Sequence, residues 1–75
     1  MKLVKMYTDK FSVLTERQFQ VLQLIAEGLT NGEIGKKLFI SSRTVEGIRA
    51  SLLVSTKTKN TAALITHCFR CGILV

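Results

Sequence analysis

The 75-residue sequence has no proline and no tryptophan, one tyrosine, one histidine, two cysteines and five acidic residues. Each shortage excludes something. Without proline, and with the five glycines placed at the ends of periodic segments or inside one central motif, the punctuation is that of helices joined by short connections rather than of a sheet. One histidine and two cysteines offer at most three zinc ligands, where a structural zinc site takes four. No Ser-His-Asp set, no carboxylate pair in a catalytic context and no phosphate loop is present, so the expectation is no enzyme, no cofactor, no metal and no small-molecule substrate. No apolar run reaches the roughly 18 residues of a membrane span. The start, MKLVKMYTDKF, is broken too often by Lys and Asp to form the apolar middle of a signal peptide, and a cytoplasmic location is expected. The chain is also too short for three copies of a solenoid repeat.

What is plentiful is apolar and basic. A hydrophobic fraction of 47% is ample for a small core and argues against disorder. Eleven Lys and Arg against five Asp and Glu leave a net charge of +6. On so short a chain this favours an anionic partner, because each phosphate contact releases condensed counterions. Residues 1–13 mix Lys2, Lys5 and Lys10 with scattered apolar residues and show no clean period. They read as an N-terminal arm or linker, a solvated tether rather than a phosphate-binding arm, with Leu3, Val4 and Phe11 as the residues able to dock on the core.

From Leu14 onward the helix starts are marked in one way. Thr15 with Gln18 three residues later is a capping box, flanked by Leu14 and Phe19 at the positions of a hydrophobic staple. Thr30 with Glu33 repeats the box, and Leu29 with Ile34 the staple. Ser41 opens a third helix with Ile40 and Val45 as its staple, although Thr44 stands where the box needs Glu or Gln. Asn60 reads as the cap of a fourth. The first helix is predicted from about Glu16 to Glu27, with Phe19, Leu22, Ile25 and Ala26 on one face, Val21 and Leu24 widening it, and Gly28 as a left-handed stop. The second spans about Asn31 to Leu38 and packs through Ile34 and Leu38. The third spans about Ser42 to Thr56, with Val45, Ile48, Leu52 and Leu53 turned inward. The fourth spans about Thr61 to Cys71, with Leu64, Ile65, Cys68 and Phe69 as its apolar face, Gly72 as its stop, and Ile73 and Leu74 folding back on the core.

These readings give an all-α, compact four-helix domain whose second and third helices form a helix-turn-helix. Two axes that cross closely need one nearly side-chain-free position, and Gly35 supplies it next to core residue Ile34. Leu38, Ile40, Val45 and Ile48 then follow at the spacings that two crossed helices and a three-residue turn require. Phe39 occupies the turn position where many such motifs use Gly for a positive φ. The central stretch from Leu29 to Arg49 is therefore read as a motif that offers its second helix to the DNA major groove.

The segment from Leu14 to Leu74 resembles the LuxR/GerE-type helix-turn-helix domain, the C-terminal output domain of NarL/FixJ-like response regulators and of quorum-sensing regulators. The resemblance is carried by LTERQFQVLQLIAEGLTNGEIGKKLFIS, then SRTVE, KNTAAL and GIL, and the phrasing TVEG and KNTA is most similar to regulators of the Bacteroidetes. It implies that residues 14–75 are the DNA-binding domain of a transcriptional regulator, as in two-component systems, with helix 3 (about 42–56) in the major groove of double-stranded DNA. It also implies a homodimer paired through helix 4 on its His67 and Cys71 side, RNA polymerase as a further partner, and a receiver or ligand-binding domain that these 75 residues do not include. Carried onto this sequence, the implied contacts are Ser42, Arg43, Thr44, Glu46, Gly47, Arg49 and Ala50. Arg43 and Arg49 are chemically the best of them, since a guanidinium grips phosphate or pairs bidentately with guanine. Ser41, Ser42 and Thr44 can donate to phosphates, and Lys36, Lys37, Lys57 and Lys59 would anchor the backbone.

Four positions depart from the family pattern. Glu46 and Ile48 stand where it commonly has Lys and His, Ser55 where it has Lys, and Lys57 where it often has Gly, which predicts an extended or irregular end to helix 3. Glu46 repels phosphate but can accept from cytosine N4. The alternative function kept open by these changes is a protein-interaction module on the same scaffold. His67, Cys68 and Cys71 form the other conspicuous cluster. Redox CxxC pairs usually sit at a helix start, and this one is at a helix end, so both cysteines read as structural, with Cys68 on the core face and Cys71 outward.

Overall fold

The computed structural model describes residues 14–74. The expected arm, residues 1–13 with Leu3, Val4 and Phe11, lies outside the described residues. Within them are four α-helices and no strand: α1 (Glu16–Ala26), α2 (Asn31–Leu38), α3 (Ser42–Thr56) and α4 (Thr61–Arg70). Helix α3 is the hub and packs on each of the other three.

Every helix start carries the predicted side-chain cap. Thr15 and Thr30 accept from the backbone N–H of Gln18 and Glu33, and the side chains of Gln18 and Glu33 accept in return from the N–H of Thr15 and Thr30, each at 2.8 Å. Ser41 accepts from the Thr44 N–H at 3.0 Å, and Asn60 from the Ala63 N–H at 2.8 Å. Each cap satisfies a backbone donor that has no partner inside its helix. The staple residues Leu14, Phe19, Ile34 and Val45 are buried, with Leu29 and Ile40 packed against the same core.

The four helix ends also share one device. Each is followed by a residue in the left-handed region: Gly28 (φ 91°), Phe39 (φ 59°), Lys57 (φ 56°) and Gly72 (φ 78°). The next N–H then reaches back five residues, from Leu29 to the Leu24 carbonyl, Ile40 to Gly35, Thr58 to Leu53 and Ile73 to Cys68. This is the Schellman closure, and it turns the chain sharply enough for connections of three or four residues. Helix 3 is thus neither extended nor irregular at its end. Lys57 adopts the conformation that glycine takes more easily, at the cost of a Cβ clash.

The core is built of Leu14, Phe19, Val21, Leu22 and Ile25 from the first segment, Ile34 from α2, Val45 and Leu52 from α3, Leu64 and Cys68 from α4, and the returning Ile73 and Leu74. Two expectations are corrected. Ala26 and Phe69 are exposed, not part of the packed faces. Ala26 lies at the C-terminal rim of α1, where the chain leaves for α2, and the site beneath the end of α4 is filled by Ile73 and Leu74. Helices α1 and α4 also end one residue earlier than predicted, with Glu27 and Cys71 as their caps.

Gly35 fixes the crossing of α2 and the turn. A Cβ there would lie 2.6 Å from the Ile40 carbonyl oxygen and 3.3 Å from the Ser42 nitrogen, both backbone atoms that cannot rotate away. The close approach therefore requires glycine.

Candidate nucleic-acid interface

The side of α3 turned away from the core carries Arg43, Gly47, Ala50 and Val54 at spacings of four, three and four, which is one helix face. All four are exposed, Val54 to 78%. Glu46 and Ser42 flank them and are exposed as well. Nothing lies within 4 Å of a Cβ built on Gly47, so this position is bare to solvent. The middle of the face is nearly smooth, with a cation and a carboxylate toward its N-terminal end and an apolar side chain toward its C-terminal end.

Cations precede and follow this face along the chain, and Lys37 among them borders α1 beside Gln20, Gln23 and Glu27. Lys36 and Lys37 occupy the last turn of α2, where they also complement the helix dipole, and both are exposed. Lys57 and Lys59, also exposed, follow α3 at its far end, about 22 Å from its start at 1.5 Å per residue. At the N-terminal end the Ser41 and Thr44 hydroxyls hydrogen-bond each other at 2.9 Å. Both are exposed beside the first amides of α3, an arrangement suited to phosphate oxygens.

One residue expected on this face has another position. Arg49 is half-buried on the flank of α3. Its Nε–H and one Nη2–H donate to the Asn31 Oδ1 at 3.0 and 2.7 Å, and its Nη1 donates to the Thr61 Oγ1 at 3.0 Å. Asn31 and Thr61 are the first residues of α2 and α4. The guanidinium therefore ties the starts of two helices to the middle of the third. Sequence reasoning missed both partners, which are 18 and 12 residues from Arg49 and carry no local signature. It also missed a second cross-link, from the Gln18 Nε2 to the Ser51 Oγ at 2.9 Å, which joins the cap of α1 to α3. The remaining expected residues, Ser41, Ser42, Arg43, Thr44, Glu46, Gly47, Ala50 and the four lysines, are all exposed, with Lys37 turned toward α1.

The cysteine cluster lies at the C-terminal end of α4, against the core. Cys68 is fully buried, and burial, with the neighbouring Cys71 second, pushes its thiol up to about 11. It is a neutral packing group at physiological pH. Cys71 is half-buried rather than outward, with its Sγ 3.6 Å from the His67 Nε2. Among the described residues no three His, Cys, Asp or Glu side chains come together in a way that could hold a metal ion.

Residues 12–68 match the family model of bacterial regulatory proteins of the luxR family, GerE. The chain is similar to the oxygen regulatory protein NreC of Staphylococcus aureus strains JH9 and JH1, with 34% identity over 67 residues in each case. That alignment covers 89% of this chain and 31% of the relative, so the chain spans about a third of the length of the curated relatives it matches. No solved structure matches.

Proposed function

The chain belongs to the luxR family of bacterial regulatory proteins, and from that premise we propose that it is a sequence-specific DNA-binding output domain that lays α3 in the major groove. The observation that carries this is the outward face of α3, bare of bulky side chains at Gly47 and Ala50, with exposed lysines in the turns of chain before and after the helix. A bare face lets the helix backbone approach base edges, and the lysines reach the phosphates on either side of the groove. Arg43 is the cation placed to pair with guanine or phosphate. Glu46 disfavours phosphate and accepts from cytosine N4. Ser41, Ser42, Thr44, Lys36, Lys37, Lys57 and Lys59 hold the backbone.

Two copies pair through α4 on its His67 and Cys71 side, where both side chains are half-buried, with Phe69 49% exposed on the same helix. In the cell such a module works in the cytoplasm, on double-stranded DNA and alongside RNA polymerase.

Fluorescence anisotropy of the 75-residue chain on a random-sequence duplex, titrated at two salt concentrations, tests the reading. Binding should weaken steeply with salt, and Arg43→Ala should make the log–log slope shallower by about one charge. Salt-independent binding, or none, rejects DNA as the partner. Self-association that persists without duplex binding favours the protein-interaction module instead.

A further inference from the structure

We infer that Arg49 is a positioning residue that sets the orientation of the reading helix without itself contacting DNA, acting through Asn31 and Thr61. The inference rests on the DNA-binding reading above and adds to it a division of labour between the two arginines of α3.

The geometry separates them. Arg43 lies on the outward stripe of α3, one helix turn from Gly47 and exposed. Arg49 lies on the flank, half-buried, and spends three of its five N–H donors inside the protein. Two of those donors converge on one oxygen, the Asn31 Oδ1, which fixes the plane of the guanidinium, and the third reaches the Thr61 Oγ1 on the other side. Such a fork cannot be copied by an ammonium, which has no planar array of donors. To reach a base edge, Arg49 would have to give up all three bonds.

The anchors add to the argument. Asn31 opens α2 and Thr61 opens α4, and each follows directly on a side-chain cap, Thr30 and Asn60. The cap hydrogen bonds to the Glu33 and Ala63 N–H groups hold the first turn of each helix in place. A side chain held between them resists both rotation of α3 about its axis and sliding along it. Those two movements would carry Arg43, Glu46, Gly47 and Ala50 off register with the base pairs. The apolar contacts beneath α3, through Val45 and Leu52, constrain its depth but are less directional than hydrogen bonds. Orientation is therefore the part of the geometry that falls to Arg49.

The test compares a duplex selected from a random library with a scrambled duplex of the same composition, for Arg49→Met, Arg49→Lys, Asn31→Ala and Asn31→Asp. Arg49→Met and Asn31→Ala should each lower the preference for the selected duplex by about tenfold, the scale of one misread base pair. Combining them should lose little more than either alone, because both remove the same link. Arg49→Lys, which keeps the charge and loses the fork, should behave like Arg49→Met. Asn31→Asp, which still accepts, should retain the preference that Asn31→Ala loses. The slope of log affinity against log salt on the scrambled duplex should stay as in the parent chain for Arg49→Met.

A slope shallower by about one charge would make Arg49 a phosphate contact and overturn the inference. So would an unchanged preference in Asn31→Ala, or full additivity of the two substitutions. Circular-dichroism melts identify any variant that fails to fold, and Asn31→Ala and Asn31→Asp then decide the matter, since neither touches the α3 sequence. Absence of duplex binding in the parent chain rejects the DNA-binding reading itself. Binding with unchanged preference in the variants rejects only the role of Arg49.

Discussion

At the scale of single residues, two glycines in adjacent helices have opposite meanings. At Gly35 a methyl group would press on the Ile40 carbonyl and the Ser42 nitrogen, while at Gly47 it would meet nothing within 4 Å. Gly35→Ala should therefore destabilise the domain by about 3 kcal/mol, since turn and helix must separate to admit it. Gly47→Ala should stabilise it by about 1 kcal/mol by favouring the helix over the unfolded chain. Urea denaturation of the two variants checks both signs. The non-glycine stops extend the point. Lys57 is exposed and left-handed, so Lys57→Gly should stabilise by up to about 1 kcal/mol as the Cβ clash is relieved, an effect measurable in the same assay. Phe39 is held in the same conformation and is 94% exposed, so its ring gains no burial that offsets the strain.

At the scale of elements, the caps were legible in the sequence because they are local. Thr15 with Gln18 and Thr30 with Glu33 are three residues apart, and spacing alone nearly fixes their geometry. Ala26 and Phe69 were misread for a related reason. Helical periodicity identifies a face, but the edge of that face depends on where the neighbouring element ends, and Ile73 and Leu74 are not part of the pattern of α4. The bond partners of Arg49 were illegible because three helices must pack before they meet. The two capping boxes also differ in one testable way. Glu33 is held below its ordinary value of 4.5, chiefly by the hydrogen bond from the Thr30 N–H, then by that with the Thr30 side chain, with Lys36 adding a smaller attraction. Its folded value lies below its unfolded one, so its contribution to α2 is complete above 4.5 and disappears as pH falls through the lowered value. The α1 box uses Gln18 and carries no such dependence. Melting curves between neutral and acid pH should show a loss in the parent chain, and Glu33→Gln should remove the part that comes from this box.

At the scale of the whole molecule, a four-helix domain of this size has a small core, and each buried side chain is a large share of it. Ile73 and Leu74 follow the last helix yet are only 4% and 8% exposed. Replacing both with Ala should remove on the order of 4 kcal/mol or more, enough to leave much of the chain unfolded at room temperature, as near-uniform amide exchange would show. Helix α3 stands apart in how it divides its sequence. Val45, Leu52 and Arg49 bind it to the rest of the protein, while Arg43, Gly47, Ala50 and Val54 are exposed and outside the core. Thr44 is the residue of α3 that serves both, exposed beside the interface and hydrogen-bonded to the capping Ser41. The domain is in this sense a chassis with an exchangeable typeface: its outward letters can be rewritten in combination while the hinges, stops and struts behind them stay as they are.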